Sequence, residues 1–102
     1  MKTLLILSLG LALASCSLVK LTREGENVAV LNLDQVANCS RVGDTTVSVL
    51  AKVGITRDQT KVARELSILA RNAGAGRGGD TVVATSVPSN GQQSFDIYQC
   101  RR

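Results

Sequence analysis

The chain has no histidine and no tryptophan, a single proline, Pro88, and only two aromatic side chains, Phe95 and Tyr98. Without histidine there is no Ser-His-Asp or Cys-His nucleophile system and no histidine metal site. The one side chain whose ordinary pKa lies near neutrality is also missing. With so few aromatics there is no stacking platform for nucleic acid, and Val, Leu, Ile and Ala must build the core. Charge of one sign is not concentrated anywhere. Twelve Lys and Arg stand against eight Asp and Glu, a net charge of +4, and the cations are scattered along the chain. That pattern reads as a solvated surface, with no nucleic acid and no nucleotide partner.

Long hydrophobic runs are limited to one, at the N-terminus. Met1-Lys2-Thr3 supplies a positive charge, Leu4 to Leu13 is almost wholly apolar, and Ala14-Ser15 places two small residues before Cys16. This order of charged, apolar and small residues is that of an export signal. The run is too short to span a bilayer, which takes about 20 apolar residues. Leu13-Ala14-Ser15-Cys16 resembles the lipobox of bacterial lipoproteins. That resemblance implies that Cys16 is acylated by palmitate-type chains and becomes the first mature residue. Ordinary secretory cleavage after Ala12-Leu13-Ala14 is the alternative. Ser17, in place of Asp, resembles the pattern sent to the outer membrane.

Cysteine is scarce, and the count is informative. Three cysteines in an exported chain leave one without a partner. Lipidation of Cys16 leaves Cys39 and Cys100 as a pair, and an oxidising compartment turns such a pair into a disulfide. Closing a loop of about 60 residues contributes roughly 4 kcal/mol in the chain-entropy model. Two cysteines without a histidine fall short of a structural zinc set, so no metal and no cofactor is expected.

The expected domains are a signal peptide over 1–15, the lipidated cysteine and a tether over 16–26, and one small α+β domain over 27–102. Removing 15 of 102 residues leaves 87, enough for a single domain. Ten tether residues would reach at most roughly 35 Å. Lys20 and Arg23 within that tether are too few to recognise lipid headgroups.

Asn27–Leu33 is predicted as a first strand, and Cys39–Leu50 as a second, bent or bulged near Gly43-Asp44. Thr56 is predicted to open a helix, with Gln59 at capping-box spacing. Val62, Leu66, Leu69 and Ala73 form its apolar stripe, widened by Ala63 and Ala70, with Lys61, Arg64, Glu65 and Arg71 outside it. Thr81–Val87 is a β-branched strand, Pro88-Ser89-Asn90-Gly91 a hairpin turn, and Gln92–Cys100 the last strand. The order ββαββ gives a small antiparallel sheet with one helix packed on a face and one disulfide.

Gly74-Ala75-Gly76-Arg77-Gly78-Gly79 matches the G-x-G-x-x-G string of dinucleotide sites. A helix runs into it and a strand runs out, the reverse of what phosphate binding needs. It is therefore read as a helix stop and turn, with Gly74 and Gly76 fraying the last helical turns. Asp44, Asp58, Asp80 and Asp96 have no partners at diagnostic spacing and are read as solvated surface.

Several motifs together resemble a family of small bacterial lipoproteins classed as a domain of unknown function. They are the lipobox, Cys39 before Val42-Gly43, Arg71-Asn72-Ala73, Gly78-Gly79-Asp80-Thr81-Val82-Val83 and Tyr98-Gln99-Cys100. Asp80 stands where the family usually has Asn, and Gly74 and Gly76 replace better helix formers. There is also a distant similarity to the Rcs stress-sensing lipoprotein, although this chain has one candidate disulfide where that protein has two. The resemblance implies a lipid-anchored protein on the periplasmic face of the outer membrane. It would be a non-enzymatic interaction or stress-related module with an envelope protein partner. The alternative is a binding module for a small envelope ligand, a glycan fragment or lipid. An uncovered sheet edge or exposed apolar residues would favour the first, an apolar concavity with convergent polar groups the second.

Overall fold

A computed structural model describes residues 19–49 and 58–101. Its elements are β1 (Ala29–Val30), β2 (Ser40–Ser48), α1 (Gln59–Gly76), β3 (Thr81–Ala84) and β4 (Gln92–Gln99), with single 3-10 turns at Gly25–Asn27 and Leu33–Gln35. The α+β class, the helix packed on a four-stranded sheet and the disulfide are as the sequence implies. Cys16 and the signal segment lie outside the described residues, as does Thr56.

The strand order is β1-β3-β4-β2. Strands β3 and β4 pair antiparallel, as do β4 and β2. β1 instead joins β3 in parallel, so the sheet is mixed where an all-antiparallel one was expected. A parallel neighbour requires a crossover, and here β2 and α1 together supply it. β1 is also far shorter than its apolar run suggested. Asn32 ends it: its backbone carbonyl accepts the Gln35 N–H at 2.9 Å while its own N–H donates to Gln35 Oε1 at 2.8 Å. This local capping competes with the sheet ladder and turns the chain into a 3-10 turn.

β2 carries the expected bulge. Its pairing shifts between Arg41 and Gly43, which leaves Val42 as the extra residue. The hairpin joining β3 and β4 turns at Asn90 and Gly91, both at positive φ (51° and 77°). Ser89 and Gln92 exchange two backbone bonds of 2.9 Å across it, as a two-residue loop of this hand requires. β3 ends at Ala84, earlier than expected, because Ser86 bonds with its side chain: Ser86 Oγ accepts the Ser94 N–H.

Helix α1 begins at Asp58, whose carboxylate accepts the Thr60 N–H at 2.9 Å. Val62, Leu66, Ala70 and Gly74 are buried at four-residue spacing. Glu65, placed outside the stripe by sequence, is buried as well. This helix meets Val28, Val47, Val82, Phe95 and Ile97 on one face of the sheet, and Leu66, Val82 and Ile97 are fully enclosed there. Because side chains alternate along a strand, Val83 and Tyr98 point to the other face. There they pack with Val36, Leu31 and the two cysteines. The segment from Leu31 to Cys39 therefore roofs a second, smaller core.

The glycine run closes the helix without fraying its last turns. Gly78, at φ 82°, donates its N–H to Ala75 O, and the Gly79 N–H donates to Gly74 O. This pair of bonds is the Schellman arrangement. Gly74 lies inside the helix because a Cβ there would press on Val82 Cγ1 at 2.9 Å. Gly79 is required by close approach, since a Cβ would run into Ile97 Cγ2.

Candidate functional site

The described residues that gather polar chemistry do so in three places. The first surrounds the disulfide. Cys39 and Cys100 are joined, with Cα atoms 4.3 Å apart, one step beyond the paired Ser40 and Gln99. Asp80 grips the same end of β4. Its Oδ1 accepts the Cys100 N–H at 2.8 Å and the Thr81 hydroxyl at 3.0 Å, and its Oδ2 accepts the Arg101 N–H at 2.8 Å. The Arg101 guanidinium stands 3.7 Å away. Burial pushes the Asp80 carboxyl up, but these donors and the guanidinium outweigh it and hold the group below its ordinary range. The solvated-surface reading of Asp80 is thus corrected: with 18% of its side chain exposed, it is a tie between the β3 entry and the C-terminal tail.

The second place is an open groove of about 650 Å³ lined by Glu26, Asn27, Val28, Ala29, Arg71 and Arg101. Both guanidiniums are directed at backbone. Arg71 donates to Val28 O at 2.9 Å and to Glu26 O at 3.3 Å, and Arg101 donates to Asn27 O at 2.6 Å. They hold the carbonyls of Glu26, Asn27 and Val28, just before β1, so both guanidiniums serve the fold at this groove. Beside it, Asn72 Oδ1 accepts the Thr22 N–H (2.8 Å) and hydroxyl (3.0 Å), while its Nδ2 donates to Lys20 O at 2.8 Å. Gly25 packs so closely under Asn72 that a Cβ would meet Oδ1. The Arg71-Asn72 pair therefore clamps residues 20–28 onto α1. Residues 20–26, expected to be tether, are part of the domain.

The third place is the sheet face away from α1. Arg41 bridges Asp44 and Asp96, 3.0 Å from each. Thr46 and Ser94 share a hydroxyl bond of 2.9 Å, next to an open groove of about 320 Å³ lined also by Ser86, Asn90 and Gln93. The sequence reading of Asp44 and Asp96 as solvated surface is corrected: Asp44 pairs with Arg41 three residues before it, and strand pairing brings Asp96 to the same guanidinium. Asp58 is a helix cap and not free surface. Among the described residues, no cluster of three or more His, Cys, Asp or Glu is arranged to hold a metal. No described helix is long and apolar enough to cross a membrane.

Sequence reasoning missed the Arg71-Asn72 clamp and the Asp80 tie, although both motifs carried the family resemblance. A short acceptor directly after Gly78-Gly79 is the signal that marked Asp80 as a backbone-capping residue. No curated protein and no solved structure matches the chain. The model of the family described as Domain of unknown function (DUF4156) matches residues 19–100, which cover the disulfide, the clamp and the Asp80 tie, and the chain belongs to that family.

Proposed function

We propose that the protein is a non-enzymatic interaction module of the cell envelope, held by an acylated Cys16 at the periplasmic face of the outer membrane. The observation that carries this reading is the Cys39–Cys100 disulfide. A disulfide belongs to an oxidising, extracytoplasmic compartment. It also occupies two of the three cysteines and leaves Cys16 for the lipid, at the end of the N-terminal apolar run. The four aspartates weighed for chemistry are all engaged structurally. Asp58 caps α1, Asp80 ties the tail, and Asp44 and Asp96 hold Arg41. Contact is the better fit than catalysis.

For the contact itself, β2 is an edge strand of nine residues that no described element covers. An open edge offers unpaired backbone groups to another chain. Leu33 and Val87 add exposed apolar side chains, 69% and 75% accessible. The two open grooves lack the apolar concavity that a small-ligand module would present. In-cell photo-crosslinking from Thr46 and Ser48 tests the proposal. A discrete envelope-protein adduct is expected, and it should be lost in Cys16→Ser. An unacylated N-terminus on membrane-extracted protein, or adducts no different from those at buried-face controls, would overturn it.

A further inference from the structure

The docked N-terminal segment fixes where the anchor leaves the domain. Lys20 O is held by Asn72, on the side of α1 away from the sheet core. From Cys16 to Lys20 there are four peptide units, which extend to at most about 14 Å. A bilayer surface reached through Cys16 therefore lies against this side of the domain. Arg64, two turns before Asn72 on the same helix, is about 12 Å away along its axis and within reach of the same plane.

Charge is distributed in the same sense. Around the outward side of α1 and the segment docked on it stand Lys20, Arg23, Lys61, Arg64 and Arg71, against Glu24, Glu26 and Asp58, while Arg77, beside Gly43, and the buried Glu65 lie toward the sheet. Lys61 and Arg64 are exposed and have no carboxylate partner among the described residues. On the far face of the sheet and its roof the balance reverses. Asp34, Asp44 and Asp96 outnumber Arg41 there, whose charge is already engaged by two of them. The domain is thus positive on the side from which the anchor leaves and negative on the other.

We infer that the outward face of α1, centred on Lys61 and Arg64, is apposed to an anionic phospholipid leaflet and binds its headgroups. The inference rests on the lipid-anchor reading above and adds an orientation to it: the Arg41–Asp44–Asp96 face, on the side of the sheet opposite α1, is turned away from the membrane. Lys and Arg gain from the negative surface potential within about a Debye length, so the effect weakens with salt.

The test uses lipidated full-length protein extracted from membranes and reconstituted into vesicles of phosphatidylcholine alone or with phosphatidylglycerol. Arginines are modified by a water-soluble dicarbonyl and read by mass spectrometry. In anionic vesicles Arg64 labelling should fall about fivefold relative to neutral vesicles. Arg41 should be unchanged, and high salt should abolish the difference. The double substitution Lys61→Gln/Arg64→Gln, at exposed positions outside the core, should lower the salt concentration at which Lys20 regains full reactivity to an amine reagent. Equal Arg64 labelling in both vesicle types, or protection of Arg41 to the same degree, overturns the surface while leaving the anchor intact. Absence of the acyl mass overturns the anchor and this orientation with it.

Discussion

Asp80 is a single carboxylate on which the Cys100 and Arg101 N–H groups and the Thr81 hydroxyl converge, and its consequences can be worked out at the scale of one residue. Because its folded pKa lies below its unfolded value, about 3.9, the ionised form contributes stability at all pH above that value. The contribution fades as pH falls through the lower folded value. Asp80→Asn keeps one acceptor oxygen but loses the charge, and a cost of about 1–2 kcal/mol is expected at neutral pH. Chemical denaturation from pH 7 down to pH 3 checks this: the wild type should lose part of its stability below about pH 4, where the variant changes less. Gly79→Ala is expected to be costly for a different reason. Its Cβ has no space against Ile97, in a core where small overlaps already cost about 1–3 kcal/mol.

At the scale of elements, α1 and the segment docked on it form one unit. Asn72→Ala removes three hydrogen bonds to Lys20 and Thr22. Hydrogen exchange around residues 22–26 should then accelerate well beyond that of β4, with a global loss of about 1–2 kcal/mol. Unchanged exchange there would show that packing of Val28, and not the clamp, holds the segment. Leu66→Ala empties the fully enclosed centre of the helix-facing core, and a loss of about 2–5 kcal/mol by denaturant titration is expected. The sheet itself illustrates what periodicity conveys. Alternation placed Phe95 and Ile97 on one side and Tyr98 on the other, and both sides prove buried. The parallel pairing of β1 and its two-residue length were not legible. They depend on where Ala29 and Leu31 find partners, at Asp80 O and Val82 O, which lie some fifty residues away in the chain.

For the whole molecule, the disulfide pins the roof of the second core to the end of β4. Cys39→Ser/Cys100→Ser is expected to lower stability by about 2–5 kcal/mol, read as a shift in the denaturation midpoint with little change in slope. Fluorescence of Tyr98, which packs beneath that roof, should respond to the same change. Two free thiols in freshly isolated protein from an oxidising compartment would contradict the pairing.

The residue order by itself determined the class of the fold, the extent of α1 to within a few residues, the β2 bulge, the hairpin turn and the partner of each strand cysteine. These follow from local chemistry: helical and strand periodicity, the φ demands of Asn90-Gly91, and a cysteine count in which Cys39 and Cys100 are the two cysteines beyond the N-terminal apolar run. Tertiary structure alone decided the mixed sheet, the burial of Glu65, and the roles of Asp80, Arg41 and Asn72. It also brought Lys20 and Arg23 onto the same side as Lys61 and Arg64. Two charges too sparse to matter along the chain become part of a positive face once the segment is docked. The reason is physical: hydrogen bonds and charge act through distances of a few ångströms in space, and a sequence orders residues only along its contour.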